Sequence, residues 1–374
     1  MKVGIFTSEY LPFPGGIATY CHELGRAAVR LGFEPTIYTF GQGSLPVPQS
    51  SNFRVERLKP DLYSHGKLPE MACRIAKLTR REKMDLCYAA DMQTIIAFGA
   101  VSVRGVKRAG VHGTDVKSRP IRWLTNYTPY KPLTHYDQVV ANSSFTRDLT
   151  LRIHPYLQPD RVICAPLGVD SFWREPVAAA DVESVSQRLK IPAGNTLLVS
   201  VGRLEERKGV LNAVRSLAKL KCDLSKLTYL IIGRRDDEAY AQRVAEAASE
   251  CGADVRLMGV LPRDDIRALF HRATCLVHTA TSRKDKAEGF GLVIIEAAAT
   301  GLPSVVTDVD ALPEVVKDGI SGYVVADRNE DELARMLERV VTDPQQFASM
   351  REGCMVWSRE FNWDACAKKA FGAV

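Results

Sequence analysis

The chain of 374 residues has no apolar run approaching the eighteen or so residues that a membrane-spanning helix needs. Its first apolar stretch, Val3 to Thr7, is cut short by Ser8 and Glu9, so no secretory leader is expected and the expected location is the cytoplasm. The nine cysteines are odd in number and include no Cys-x-x-Cys pair, which argues against a disulfide framework and a structural zinc site, and for reduced thiols. No Gly-x-Gly-x-x-Gly follows the first strand-like run, which weighs against NAD. Internal repeats and low-complexity tracts are also missing, so solenoid and disordered architectures fall away. What remains is a 46% apolar chain of a length that suits two domains, each with its own core.

Charge is spread unevenly. Residues 1–180 carry 23 Lys and Arg against 15 Asp and Glu, and residues 181–374 carry 27 against 29, so the halves are about +8 and −2 within a net +6. A basic first half fits an anionic acceptor or a weak attraction to an anionic membrane surface, centred on Arg74-Ile75-Ala76-Lys77-Leu78-Thr79-Arg80-Arg81-Glu82-Lys83. A solvated face of an amphipathic helix gives the same pattern and carries more weight on pattern alone. No nucleic-acid partner is expected.

Short apolar runs alternate with helical patterns from end to end, the signature of parallel sheets wrapped by helices. Seven strand-like runs, from Val3–Thr7 to Val162–Ala165, form a first series; six more, from Leu197–Val201 to Tyr323–Val325, form a second. The spacing predicts an α/β chain of two Rossmann-like domains, 1–170 and 171–357. A terminal helix from about 358 to 374, opening at Phe361-Asn362-Trp363-Asp364, is too short for a domain of its own. Val177-Ala178-Ala179-Ala180 reads as a mobile lead into the second domain. In such sheets ligands bind at the carboxyl ends of the strands, so two facing domains would place a site in the cleft.

The densest candidate chemistry is Glu288-Gly289-Phe290-Gly291-Leu292-Val293-Ile294-Ile295-Glu296. Glycines 289 and 291 allow close approach of the main chain to a ligand, and the helix from Leu292 offers unpaired first amides to a phosphate. Glu288 and Glu296 can each accept hydrogen bonds from a sugar diol. Two carboxylates beside an anion need balancing cations, and Val201-Gly202-Arg203-Leu204-Glu205-Glu206-Arg207-Lys208-Gly209 supplies Arg203 and Lys208. Cations at a helix start are unfavourable unless an anion sits between them. Glu206 and Arg207 read as solvated neighbours. Gly15-Gly16-Ile17 follows the first strand, so the amide of Gly16 and the dipole of the following helix can face a diphosphate or an acceptor oxygen. His112, followed by Gly113, ends the run Lys107–Val111, which would leave its imidazole projecting into the cleft rather than into a core, with Asp115 near it.

Taken together, Gly15-Gly16-Ile17, His112-Gly113-Thr114-Asp115, Pro166-Leu167-Gly168-Val169-Asp170, Gly202-Arg203-Leu204 with Lys208-Gly209, and the Glu-x7-Glu element resemble the signatures of the retaining family 4 glycosyltransferases. The resemblance runs from Val3 to about Trp363 and implies the GT-B fold, with the terminal helix crossing back to the N-terminal domain. It implies transfer of a hexosyl unit, with retention and no metal or separate cofactor, from a nucleotide diphosphate sugar to a glycan, glycolipid or small-molecule hydroxyl. A UDP-sugar is favoured over GDP-mannose, and cell-envelope polysaccharide or glycoconjugate synthesis is the expected setting. By the same resemblance Glu296 binds the nucleotide ribose, Arg203 and Lys208 the diphosphate, and Glu288 with the Phe290-Gly291-Leu292 backbone the sugar. His112 lies near the reacting carbon, with Asp115 orienting its loop or meeting the acceptor. The main chain around Val260 reads the base, and the loops from Thr114 to Pro132 choose the acceptor.

One departure stands out. Where the family usually carries Gly-Gly before Pro-Glu, this chain has Asp310-Ala311-Leu312 before Pro313-Glu314. Asp308-Val309-Asp310 also imitates an Asp-x-Asp metal site, read here as coincidence. Two rivals share the fold: a sugar-nucleotide epimerase, which acts on donor alone, and a non-catalytic nucleotide-sugar binding protein.

Overall fold

The computed structural model describes residues 1–12, 15–40, 52–59, 65–117 and 131–372. The chain divides into two compact units: Met1–Gly168 with Lys284–Phe290 and Asn362–Val374, and Val169–Arg283 with Gly291–Phe361. The short segment Lys284–Phe290 thus lies with unit 1, inside the span that the sequence assigns to the second domain.

Unit 1 is built on a parallel sheet of seven strands: β1 (Lys2–Thr7), β2 (Glu34–Phe40), β3 (Arg54–Leu58), β4 (Leu86–Ala89), β5 (Val106–Val111), β6 (Gln138–Ala141) and β7 (Val162–Cys164). Their order is β3-β2-β1-β4-β5-β6-β7. Unit 2 holds six: β8 (Thr196–Val201), β9 (Leu227–Ile232), β10 (Asp254–Gly259), β11 (Cys275–His278), β12 (Ser304–Thr307) and β13 (Gly322–Val325), in the order β10-β9-β8-β11-β12-β13. Every strand foreseen from the sequence is present, shifted by two residues at most. Central strands such as β4 and β9 are buried along their whole length because helices cover both faces, which is why they read as continuous apolar runs rather than alternating ones.

In each sheet the order reverses once, between β1 and β4 and between β8 and β11. Loops leaving those strands are where open α/β sheets take ligands. At the first reversal Asp91 is buried and ties the two strand ends together: it accepts from the hydroxyls of Thr7 (3.1 Å) and Ser8 (3.0 Å), and caps the helix Met92–Gly99 through the Thr94 amide (2.9 Å).

The helix Trp363–Phe371 completes unit 1 by packing on the helix Gly16–Arg30. Asn362 caps it, Asp364 pairs with Arg30 at 2.6 Å, and Phe371 meets the rings of Phe33 and Tyr88 at 5.7 Å. Arg108 donates to the carbonyls of Lys369 and Ala370 in the last turn, where a cation is favoured. A β-carbon on Gly168 would lie 2.2 Å from the Trp363 nitrogen, which explains the glycine of the Pro-Leu-Gly-Val-Asp run. The helix starts at Trp363 rather than near 358, because Arg351–Ser358 is a separate helix of unit 2. Ala179 and Ala180 are not a mobile lead; they open the helix Ala179–Arg188, in keeping with alanine's high helix propensity. The basic stretch forms the amphipathic helix Leu68–Glu82, burying Met71, Ile75 and Leu78 and exposing Arg74, Lys77, Arg80 and Arg81.

Candidate functional site

In unit 2, β8 ends at Val201 and the chain turns through Gly202 into a single 3-10 turn, Glu206–Lys208, before the helix Val210–Leu217. Gly209 caps that helix with φ +66°, and a β-carbon there would lie 1.7 Å from the carbonyl oxygen of Thr279. Thr279 returns a hydrogen bond from its hydroxyl to the Gly209 carbonyl (2.9 Å), and the Thr281 amide donates to the Arg207 carbonyl (2.9 Å). The loops after β8 and β11, the two strands of the order reversal, are therefore laced together. Arg203 is exposed and Lys208 half-buried, with the Lys208 Cε 3.7 Å from where a Gly202 β-carbon would sit. Arg207 is not a solvated neighbour: it is buried beside Glu205, its guanidinium donating to Oε1 at 2.9 Å. Glu206 alone of that pair faces out, pairing with Arg283 (2.6 Å) and Arg243 (3.6 Å). A run of two acids followed by two bases carries no sign of which cation turns inward, and that is why the sequence missed Arg207.

The helix Leu292–Ala299 starts at Gly291, whose φ of +85° lies in the left-handed region that favours glycine. Glu296 sits half-buried in its second turn, the one charged residue of an otherwise apolar helix. The helix stops at Gly301 (φ +85°), two residues before Pro303, as the sequence signals. Val260 is 64% exposed just past the carboxyl end of β10.

In unit 1, His112 follows β5. Its Nε2–H donates to the Ala90 carbonyl (3.0 Å), which fixes the neutral tautomer and leaves Nδ1 as the acceptor. The edge-on ring of Tyr20 lies 4.6 Å from it, and the Tyr20 hydroxyl bonds that of Tyr88 at 2.6 Å. The Oδ1 atom of Asp115 accepts from the amides of His112 (2.8 Å) and Val116 (2.9 Å), so Asp115 shapes the loop. Nothing in the sequence points to Tyr20, because its contact with His112 is purely tertiary. The Asp91-x-x-Thr94 spacing after β4, in contrast, is a readable capping signal.

Burial pushes the His112 pKa down from 6.5 to about 4, against smaller upward pulls from the Ala90 hydrogen bond and Asp91. Burial pushes Asp115 up from 3.8 to about 7, against the two amides that favour its charged form. Between about pH 4 and 6.5 the folded chain binds the His112 proton less readily than the unfolded chain, so acidification costs stability there. Asp115 has the opposite sign, its contribution shrinking as pH rises from 3.8 to 7. Asp115→Asn keeps an oxygen for both amides and removes one slope. Denaturant titrations should then show a steeper loss of stability from pH 6.5 to 4.5 than in the parent; an unchanged slope would contradict the opposed titrations.

Glu288 is buried in the same unit. Gly113 and Glu288 form an antiparallel bridge, the Thr114 hydroxyl donates to the Ala287 carbonyl (2.7 Å), and the Thr146 hydroxyl donates to the Gly289 carbonyl (3.3 Å). A β-carbon on Gly289 would stand 2.0 Å from the His112 carbonyl oxygen. The close approach that this glycine permits is thus to the main chain of His112. Phe290 is buried, and the next residue, Gly291, belongs to unit 2, so the Glu-x7-Glu element is shared between the two units.

Gly16 is the first residue of the helix Gly16–Arg30, and a β-carbon there would meet nothing within 4 Å among the described residues. Among the described residues no neighbour demands a glycine at this position. Gly16→Ala should keep stability within about 1 kcal/mol in a thermal melt and lower turnover, because only a bound molecule would feel the methyl. A clear loss of stability would contradict this.

Asp308 is exposed, and Asp310 adopts φ +53°, the left-handed conformation for which glycine is suited and which aspartate tolerates. Asp310 keeps a glycine-like backbone in place of the usual Gly-Gly. Among the described residues, no three His, Cys, Asp or Glu side chains group as a metal set. A depression of about 360 Å³ in unit 1, lined by Lys2, Val3, Glu34 and Pro35, lies at the amino ends of β1 and β2, away from the strand ends that carry these residues. The acceptor loops proposed between Thr114 and Pro132 fall largely on residues 118–130, outside the described residues.

Residues 14–171 match the family Glycosyltransferase Family 4, and residues 181–354 match Glycosyl transferases group 1. An alpha-maltose-1-phosphate synthase of Mycolicibacterium smegmatis is 31% identical over 62% of this chain and 61% of its own length. A D-inositol 3-phosphate glycosyltransferase of Corynebacterium aurimucosum is 28% identical over 61% of this chain and 54% of its own. This chain therefore spans less than two thirds of the length of those relatives. The crystal structure of HepE from Anabaena, solved with UDP and glucose, superposes with a TM-score of 0.78 at 19% identity, covering 99% of this chain and 98% of that one. The chain belongs to the family 4, group 1 glycosyltransferases and has the two-domain α/β GT-B fold.

Proposed function

We propose that the protein transfers a hexosyl unit from a nucleotide diphosphate sugar, with a UDP-sugar as the favoured donor and GDP-mannose the runner-up, to a hydroxyl of a glycan, glycolipid or small molecule. The observation that carries this reading is the pairing, at the strand-order reversal of unit 2, of Arg203 and Lys208 after β8 with the Gly291–Glu296 turn and helix after β11. The UDP complex of the Anabaena structure supports the choice of nucleotide.

Arg203 and Lys208 neutralise the diphosphate as charge builds on the leaving group. Glu296 accepts from the ribose hydroxyls, and the exposed turn at Val260 offers main chain to the base. Glu288 and the Phe290-Gly291-Leu292 backbone hold the sugar, the neutral His112 supports the region of the reacting carbon, and the Gly16 amide faces phosphate or acceptor oxygen. The anomeric carbon–oxygen bond to phosphate breaks as the acceptor oxygen bonds the same carbon from the same face. The acceptor proton passes to the departing phosphate oxygen, and a nucleoside diphosphate leaves. The reaction needs no metal and no separate cofactor. It takes place in the cytoplasm, with the Leu68–Glu82 helix offering weak contact to an anionic membrane face.

Proton NMR of freshly formed product tests the stereochemistry. Retention at the anomeric carbon is expected, and an inverted centre would overturn the front-side mechanism.

A further inference from the structure

Arg203 is a diphosphate-binding cation in the proposed function, and the roles of its two acidic neighbours rest on that assignment. The guanidinium of Arg203 is held between two carboxylates, with one terminal nitrogen 3.3 Å from Glu205 Oε1 and the other 3.6 Å from Asp236 Oδ2. Each acid is shared with a second arginine, and the two differ in burial. The Glu205 side chain is 9% exposed, and the same Oε1 also accepts from Arg207 at 2.9 Å, itself 7% exposed. The Asp236 side chain is 26% exposed and is shared with Arg234, which reaches both of its oxygens.

A buried carboxylate bridging two guanidiniums cannot leave without stranding a buried charge, so Glu205 stays in place. An exposed ion pair contributes little, and a phosphate offering paired oxygens to a planar guanidinium competes with it readily. We propose that the two carboxylates act in opposite directions on an anionic ligand. Glu205, pinned by Arg207, is a positioning residue that holds Arg203 ready for a nucleoside diphosphate. Asp236 is a counter-ion that the diphosphate displaces.

The test measures calorimetric dissociation constants of the full chain for UDP and uridine, with GDP and guanosine in parallel. Asp236→Asn should tighten the diphosphate about threefold to tenfold, and Glu205→Gln should weaken it about tenfold, a shift of about 1.4 kcal/mol. Affinity for the bare nucleoside should not move in either variant, which separates positioning of Arg203 from general damage. Glu205→Gln takes a negative charge from beside the buried Arg207, so the double variant Glu205→Gln with Arg207→Gln restores the local charge balance and should show the same selective loss. If the double variant keeps the parental ratio of diphosphate to nucleoside affinity, or if Asp236→Asn weakens the diphosphate, the proposal is overturned. If Arg203→Ala loses the diphosphate while the Glu205 and Asp236 variants do not change it, the donor assignment stands and the opposed roles of the two acids alone fail. If the parent binds neither diphosphate, both fall.

Discussion

Replacing Lys208 with alanine should lower turnover by about a hundredfold to a thousandfold, the usual loss when one preorganised group is removed from a developing negative charge. The turn itself should survive. The Lys208 amide donates to the Glu205 carbonyl at 2.9 Å and the Gly209 amide to the Glu206 carbonyl at 3.1 Å, and neither bond involves the side chain. A half-buried lysine at the entry to a helix stands against the positive end of the dipole, so removing it should not reduce thermal stability. Steady-state kinetics beside a thermal melt check both parts. A variant with parental turnover would remove Lys208 from the diphosphate role, and one that melts early would make the lysine a structural residue.

Gly289→Ala should be as damaging by a different route. The added methyl would sit 2.0 Å from the carbonyl oxygen of His112 and 2.6 Å from its carbon. The contact is with backbone at the end of β5, which cannot swing away as a flexible side-chain tip does. Overpacking of this kind costs about 1–3 kcal/mol. The larger consequence is functional, since the Gly113–Glu288 bridge and the Thr114–Ala287 hydrogen bonds hold Glu288 in register with His112. A displacement of about 1 Å at reacting groups typically costs about a hundredfold in rate. Denaturant titration and turnover should therefore both fall. A fully active Gly289→Ala protein would mean that the registration of Glu288 on His112 does not matter to catalysis.

Much of the architecture is legible because it rests on local signals. Strands buried on both faces must be apolar runs, and the helix after Gly291 must end where Gly301 and Pro303 forbid its continuation. The candidate residues are legible through motifs whose chemistry is local as well: cations before a helix start, a glycine before a helix, and a histidine at a strand end. Pairings decided in three dimensions are not. Arg207 turns inward onto Glu205, and no pattern of four consecutive charges reveals it. Gly289 reads as a place for a ligand to come close, yet the space beside it is filled by the main chain of His112. Asp310, standing where a Gly-Gly pair is usual, has φ +53°, a backbone property that composition conceals.

Metal-independent cleavage of a nucleotide diphosphate sugar at the anomeric carbon is the proposed step on which the roles of Glu296 and Lys208 depend. Purified protein should be incubated with separate UDP- and GDP-sugars in EDTA, following release of the nucleoside diphosphate, with Glu296→Ala and Lys208→Ala as controls. Slow, metal-independent release from one donor, lost in both variants, is expected. Binding and release with no donor, or release that persists in both variants, would contradict it.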